Sequence, residues 1–337
     1  MDMRDATGSL RSGEPHPPRT LLPNARRSPR YGGIATFCRV PRIEDVPPEH
    51  APVDWAIYGV PFDSGVTFRP GARFGPRAVR DASQYMKPYN LHHGVDIAQR
   101  LSMADAGDSP VKPFSCEENA RTVAEFARSI GDPARTKLLA IGGDHSIAYA
   151  NIRATWERRG QPAAGLALIH FDAHLDTVEV THGERWSHAS PFIRAIEDGL
   201  IDPRRMISIG IRGPLNSGAD LDYARANGVE IITCDEARAP AGKTRIGAFA
   251  GRLAGAEAYL TFDIDCVDPA FAPGTGTPCC GGFTSAEALS LIRGFVGANI
   301  VGADVVEVLP DRDVSQITAL LASHVMIEIL ALDAVAR

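Results

Sequence analysis

The chain of 337 residues has no excess of positive charge, the feature that most nucleic-acid-binding proteins show. It contains 35 Lys and Arg against 41 Asp and Glu, which gives a formal net charge of −6. It also has no uninterrupted apolar run close to the roughly 20 residues that a membrane-spanning helix needs. We therefore expect neither a nucleic acid nor a membrane among its partners.

Cysteine pairs with the spacing of metal sites are also absent. The six cysteines form no CxxC pair, and the adjacent Cys279 and Cys280 are poorly placed for a disulfide with each other. The first ten residues have no apolar stretch of the kind that a signal peptide contains. These features favour a cytoplasmic protein.

Two regions differ in composition. Residues 1–30 are rich in proline and arginine and hold little that could be buried, which predicts a flexible N-terminal arm. An alternative is that this arm packs on a neighbouring subunit. Residues 31–337 are predicted to form one folded domain.

Short apolar runs alternate with amphipathic stretches from Asp54 onwards. The predicted strands are 55–60, 137–141, 166–171, 206–211, 229–233, 258–264 and 300–308, and the clearest predicted helices are 117–130, 285–295 and 315–332. Near-continuous apolar strands separated by helices indicate an α/β protein with a mainly parallel sheet that is covered on both faces. Such sheets bind ligands at the carboxyl ends of their strands.

Acidic residues and histidines are concentrated at three of these strand ends. Asp172, His174 and Asp176 follow one apolar run at intervals of two, so on extended backbone they point the same way. Asp263 and Asp265 repeat the pattern at a second strand end. At a third, two glycines lead into Asp144 and His145.

Single members of this set have simpler explanations. Asp144 could be only a helix cap, and a lone His145 or His170 is more often a hydrogen-bonded core residue than a ligand. Two carboxylates on one strand face are different, because they repel each other and are costly to bury unless a cation lies between them. Oxygen ligands with two imidazoles suit Mn(II), Ni(II), Co(II) or Zn(II). Two such ions lower the pKa of a bound water, which predicts hydrolysis by hydroxide.

Several motifs together resemble the ureohydrolase family of arginase and agmatinase, and the agmatinase-like branch most. They are GGDHS at 142–146, FDAHLD at 171–176, FDIDCVDPAFAPGTGTP at 262–278 and VVEV at 305–308. The resemblance implies a three-layer α/β/α fold with two divalent metal ions, Mn(II) first and Ni(II) as the alternative. It also implies a homo-oligomer, a trimer or a hexamer.

Site residues follow from the resemblance by position. It implies that one metal is held by His145, Asp172, Asp176 and Asp263, and the other by Asp172, His174, Asp263 and Asp265. Asp176 would also accept a hydrogen bond from the nucleophile. Glu307 would bind the guanidinium, since a carboxylate can accept two parallel N–H bonds from that planar group.

The loop that follows the FDAHLD motif contains the remaining candidate site residues. The family uses a loop histidine that passes a proton to the departing amine, and an imidazole suits this task because its pKa lies near working pH. His188 fits the family pattern better than His182, which we expect to be a pocket or loop residue. Trp186, two residues before His188, is expected either to narrow the mouth of the substrate pocket or to pack on a neighbouring subunit.

The resemblance implies a binuclear-metal amidinohydrolase that converts a small linear guanidine, of the agmatine or 4-guanidinobutyrate type, to urea and an amine. An alkylated guanidine or a biguanide is an alternative substrate. Two alternatives of other classes are an amide deacetylase on the same fold and a non-catalytic subunit of a mixed oligomer. L-Arginine is not expected, because the loop before His188 lacks a recognisable Asn and Ser set for an α-amino acid.

Overall fold

Eight parallel strands form the central sheet of the computed structural model, which describes residues 17–24 and 26–337. In chain order, the strands of the whole described fold, including two outside the central sheet, are β1 Trp55–Gly59, β2 Tyr89–Asn90, β3 Val95–Asp96, β4 Met103–Asp108, β5 Lys137–Ile141, β6 Leu166–Phe171, β7 Ile201–Ile211, β8 Glu230–Thr233, β9 Glu257–Asp263 and β10 Asn299–Val306. The helices are α1 Gly75–Ser83, α2 Ile97–Arg100, α3 Cys116–Ser129, α4 Ile147–Arg158, α5 Pro191–Glu197, α6 Asp222–Ala226, α7 Cys234–Arg238, α8 Pro240–Arg252, α9 Ser285–Arg293 and α10 Ile317–Val335. The strand order is β4-β1-β5-β10-β9-β6-β7-β8, and β2 and β3 form a separate antiparallel pair.

Successive residues of the strands pack into two different hydrophobic cores, one on each face of the sheet. Trp55 and Ile57 of β1 belong to the core that α1, α9 and α10 cover, whereas Ala56 and Tyr58 belong to the core under α3 and α4. Side chains alternate between faces along a strand, so a strand covered on both sides must be apolar throughout. The predicted three-layer α/β/α fold with a parallel sheet is confirmed.

The sheet order brings together the strand ends that carry the candidate site. Strands β5, β10, β9 and β6 are consecutive neighbours in the middle of the sheet, and all of them run in the same direction. Residues that follow these strands therefore meet at one edge of the sheet, although they are far apart in the chain.

Helix α10 has the length and apolar composition that would allow it to cross a membrane, with a mean hydropathy of 1.7 over its apolar window. The segment is not an uninterrupted apolar run, because Ser323, His324, Glu328 and Asp333 lie within it. Within the fold, 72% of that apolar stretch of the helix is buried. Glu328 of this helix forms an ion pair with Arg293, and Asp333 of this helix forms one with Lys137. In the described fold α10 is thus a core helix.

Two strands of the central sheet differ from the expectation, and the short pair β2 and β3 was not predicted either. Strand β4 was not predicted, because this edge strand alternates in polarity (MADAGD) instead of forming an apolar run. Strand β7 begins at Ile201, before the predicted start, because a polar stretch with Pro203 precedes its buried half.

The described part of the N-terminal arm contacts the domain. Thr20 is buried, and its backbone N–H donates to the carbonyl oxygen of Ala98 at 2.9 Å. Arg30 donates to the carbonyl oxygens of Gln84 and Met86. Residues 1–16 lie outside the described residues, so the flexible arm and the domain boundary at residue 31 stay predictions.

Candidate active site

The structure brings all six predicted metal ligands together at the carboxyl ends of β5, β6 and β9: His145, Asp172, His174, Asp176, Asp263 and Asp265. His145 Nδ1 lies 3.0 Å from Asp172 Oδ2 and 2.9 Å from Asp176 Oδ2. Asp263 Oδ2 is 3.3 Å from the same nitrogen. These four side chains form one group of donor atoms.

A second group shares Asp172 with the first. His174 Nδ1 lies 3.1 Å from Asp265 Oδ2 and 3.4 Å from Asp172 Oδ1. The two oxygens of Asp172 thus face different histidines. Asp263 Oδ1 accepts the backbone N–H of Asp265 at 2.8 Å, which orients its other oxygen towards His145. The arrangement has the form of two neighbouring sites that share a carboxylate.

The donor set fits two divalent cations. All four carboxylates are buried, and such a cluster is costly to bury without positive charge between the oxygens. His145 Nδ1 is buried and has no hydrogen-bond partner among the described residues, although it faces three carboxylate oxygens. A lone pair directed into a group of anions is the arrangement that a metal ion satisfies.

A buried hydrogen-bond chain determines which nitrogen of His145 carries the proton. His145 Nε2 lies 2.9 Å from Thr261 Oγ1, and the Thr261 hydroxyl donates to Asp304 Oδ1. Because that hydroxyl proton is directed to Asp304, its oxygen accepts a proton from Nε2, and Nδ1 keeps its lone pair for a metal. Tyr259 donates to the other Asp304 oxygen at 2.8 Å. Burial raises the pKa of Asp304.

Thr261→Val is expected to weaken metal binding by roughly 10–100-fold, the usual cost of losing an outer hydrogen-bond partner of a ligand. Valine keeps the shape of threonine but cannot accept the proton of His145 Nε2. The measurement is metal content against free metal concentration. Thr136→Val is the matched control, since the Thr136 hydroxyl donates to a backbone oxygen of Val53 away from the site. Equal metal affinity of Thr261→Val and the control would contradict the assignment.

His170 also contacts the site. Its Nε2 lies 2.8 Å from Asp172 Oδ2, its Nδ1 lies 3.0 Å from Ser208 Oγ, and its ring packs against Phe192. It therefore behaves as a hydrogen-bonded core histidine that orients the shared carboxylate.

Glu307 lies beside the metal ligands, just beyond the end of β10. Its backbone φ of 64° is in the left-handed region, which a residue other than glycine adopts only where surrounding contacts hold it. Its Oε1 accepts the backbone N–H of His145 at 2.9 Å and lies 2.9 Å from His188 Nδ1. The candidate guanidinium-binding carboxylate and the candidate proton donor are thus in direct contact.

The ring of His188 is held from both sides. Opposite Glu307, its Nε2 is 3.0 Å from the backbone nitrogen of Thr67 and 2.8 Å from the Thr67 hydroxyl. Burial disfavours the charged imidazolium, but the hydrogen bond to Glu307 and its negative charge outweigh burial and raise the pKa of His188 to about 9. The backbone N–H of Thr67 donates to Nε2, so the proton that His188 can pass to a leaving group is the one on Nδ1, which faces Glu307.

A cavity of about 540 Å³ opens beside His188 and several of the metal ligands. His174, Asp176, Asp263 and His188 line its inner part, and His182 lines it from the tip of a tight turn. The Trp186 ring packs edge-to-face on Tyr149, with 4.8 Å between ring centroids, and does not line the cavity. This position disagrees with the expectation that Trp186 narrows the mouth.

Residues 53–332 match the arginase family. The chain belongs to the arginase family. Guanidinopropionase from Pseudomonas aeruginosa is 42% identical over 313 residues, which cover 92% of this chain and 94% of the relative. Agmatinase from Chromobacterium violaceum is 40% identical over 311 residues, which cover 90% and 89%.

A solved structure agrees with this assignment. The proclavaminate amidino hydrolase of Streptomyces clavuligerus superposes on this arginase-family chain with a TM-score of 0.81 and 39% identity, covering 92% of this chain and all of the other. The predicted ureohydrolase family, its agmatinase-like branch and the enzyme class are confirmed. Arginase-family enzymes use two divalent metal ions, which agrees with the His and Asp clusters of this chain.

Three contributors to this arginase-family site were not predicted. Thr261 could have been recognised from the sequence, because it precedes Asp263 by two residues on β9. Its side chain therefore points the same way as that of Asp263. Asp304 could also have been recognised, because an acid inside the apolar run of β10 must have buried partners. Thr67 could not, since it lies in a loop and reaches His188 only through the tertiary fold.

Proposed function

We propose that the substrate of this ureohydrolase is a small linear guanidine of the agmatine or 4-guanidinobutyrate type, which is split into urea and an amine. One observation carries the proposal: a buried carboxylate, Glu307, lies beside the six-ligand metal cluster and in contact with His188. A guanidinium bound to Glu307 would have its carbon next to the residues that would hold the metals. The relatives named guanidinopropionase, guanidinobutyrase and agmatinase support a guanidine substrate.

The chemistry divides between the ions and the protein. When bound, the two ions lower the pKa of water and so supply a nucleophile for the guanidino carbon. Glu307 orients the planar guanidinium, because a carboxylate can accept parallel N–H bonds. Asp176, which lines the cavity, would accept a hydrogen bond from that nucleophile. His188 gives its proton to the departing amine, which leaves as a neutral molecule.

Agmatine and 4-guanidinobutyrate differ in the charged group at the end of the molecule away from the guanidinium. Asp220 lines the cavity, and no Lys or Arg is among the described residues that do so. This charge distribution favours the cationic tail of agmatine. The relatives named for guanidino acids support a carboxylate tail instead.

The proposal also covers the identity of the metal, the oligomeric state and the cellular location. Carboxylates and imidazoles suit Mn(II) best and Ni(II) as the alternative. The family resemblance supports a homo-oligomer, a trimer or a hexamer. A cytoplasmic location is supported by six free cysteines without a disulfide among them.

A substrate panel tests the proposal. The protein loaded with Mn(II), and separately with Ni(II), should release urea from agmatine or 4-guanidinobutyrate and bind two metal ions per chain. L-Arginine should be a poor substrate. If two ions are bound and no linear guanidine yields urea with either metal, the proposed reaction is rejected.

A further inference from the structure

Both ring nitrogens of His174 have contacts in the described fold. Its Nδ1 faces Asp265 Oδ2 at 3.1 Å and Asp172 Oδ1 at 3.4 Å, so this nitrogen is the one directed at the second group of ligands. Its Nε2 lies 3.6 Å from the Sγ of Cys279, the only hydrogen-bond partner of that nitrogen among the described residues. A ring that keeps the lone pair of Nδ1 for a metal carries its proton on Nε2, and that proton is directed at the sulfur.

The thiol of Cys279 is oriented to accept that proton. Its own S–H donates to the carbonyl oxygen of Thr277, 3.7 Å from Sγ, which leaves the lone pairs of the sulfur for the imidazole. Cys279 is buried, and a hydrogen bond to a weak acceptor gains strength where the surroundings exclude water.

The backbone of Gly213 limits how far the ring of His174 can turn. A β-carbon on Gly213 would lie 2.5 Å from His174 Cδ2 and 2.8 Å from Nε2, so only a glycine leaves room for this edge of the imidazole. The backbone N–H of Gly213 donates to the carbonyl oxygen of Ala173 at 2.8 Å, which ties this backbone to the segment that carries His174. The ring is therefore held close to the sulfur.

Arg212 fixes the position of Cys279 relative to another metal ligand. Its Nη2 lies 2.7 Å from the carbonyl oxygen of Cys279 and 2.7 Å from that of Asp265. Its Nη1 donates to the carbonyl oxygens of Cys266 and Gly210, both at 3.2 Å. One planar guanidinium thus joins the segment that carries Asp265 to the segment that carries Cys279. The same contacts therefore place the sulfur and one of the ligands that share the second site.

We propose that Cys279 is a positioning residue for the metal ligand His174: its sulfur accepts the Nε2–H of the imidazole and keeps the Nδ1 lone pair directed at the ion that His174 would hold. The two histidine ligands then have different outer partners, the hydroxyl of Thr261 for His145 and a thiol for His174. This inference rests on the two-ion site of the proposed function and is independent of its substrate.

Cys279→Val tests the inference, because valine fills a similar volume but accepts no hydrogen bond. Mn(II) is titrated into the metal-free protein, and the EPR signal of the free ion gives the bound fraction. The wild type should bind two ions per chain. In Cys279→Val the affinity for one ion should fall by roughly 10–100-fold, the usual cost of losing an outer partner of a ligand. The affinity for the other ion should stay close to that of the wild type.

The Tm separates positioning of His174 from simple packing. Metal-free Cys279→Val should unfold at a Tm close to that of the metal-free wild type, because the buried volume is kept. The rise in Tm on adding Mn(II) should be smaller in the variant, since this rise depends on the Kd of the ions. A lower Tm of the metal-free variant, with unchanged affinity for both ions, would assign Cys279 a packing role and overturn the inference.

Cys234→Val is the matched control, since Cys234 is a buried cysteine at the start of α7 and has no hydrogen bond to any of the six metal ligands in the described fold. It should bind both ions as the wild type does, and an equal loss in this control would overturn the inference. Unchanged affinity for both ions in Cys279→Val, beside a wild type that binds two, would overturn the inference and leave the proposed function intact. A wild type that binds two ions but releases no urea from any guanidine would reject the proposed reaction alone, and the weakened ion in Cys279→Val would still support the positioning role.

Discussion

Asp172→Asn is expected to lose both bound metal and urea release, with activity falling by more than the roughly 10–100-fold that loss of an outer hydrogen-bond partner costs. One oxygen of Asp172 faces His145 and the other faces His174, so this residue contributes to both groups of ligands. An amide keeps the size of the carboxylate but removes its charge. Metal content per chain and turnover with saturating Mn(II) measure the two losses.

The control is Asp202→Asn, which makes the same change at an aspartate that pairs with Arg205 on β7 outside the site. It should keep two ions per chain and wild-type turnover. Full activity of Asp172→Asn with two bound ions would show that this carboxylate does not bridge the sites.

His188→Ala should reduce turnover by roughly 10²–10⁴-fold, the range that a positioned proton donor contributes. His182→Ala should change it by only a few fold. The structure separates the two, since His188 is buried between Glu307 and Thr67, whereas His182 is exposed at a turn. Turnover of both variants with one substrate, at equal metal content, is the measurement.

A comparison of KM with kcat sharpens that experiment. His188 contacts one oxygen of Glu307, so its removal alters the environment of the guanidinium as well as proton transfer. The proton-donor assignment requires that kcat carries most of the loss. If His182→Ala caused the larger drop in kcat, the role would pass to His182.

The position of the site could be predicted because it depends on strand ends. The runs Leu166–Phe171 and Glu257–Asp263 are apolar enough to be recognised as buried strands, and their acids follow at intervals that repeat the period of a strand. Parallel sheets collect such residues at one edge. The metal ligands therefore required no knowledge of the tertiary fold.

Residues outside the strand pattern could not be predicted in this way. Trp186 was expected at the mouth of the pocket, but its ring packs against Tyr149 on α4. This contact depends on how the loop packs. Thr67 reaches His188 over a separation of 121 residues, and its neighbours in sequence carry no periodic signal. Side-chain direction in loops follows from tertiary packing.

The sequence separation of the four central strands also has a consequence for folding. Residues of β5, β6, β9 and β10 must be in register before His145 can face Asp263, so the ligand set does not exist in a partly assembled chain. Ions that bind only the native state add to its free energy of unfolding, by about 2.7 kcal/mol per site at a hundredfold excess over the Kd. Metal supply is therefore linked to the stability of the whole sheet as well as to activity.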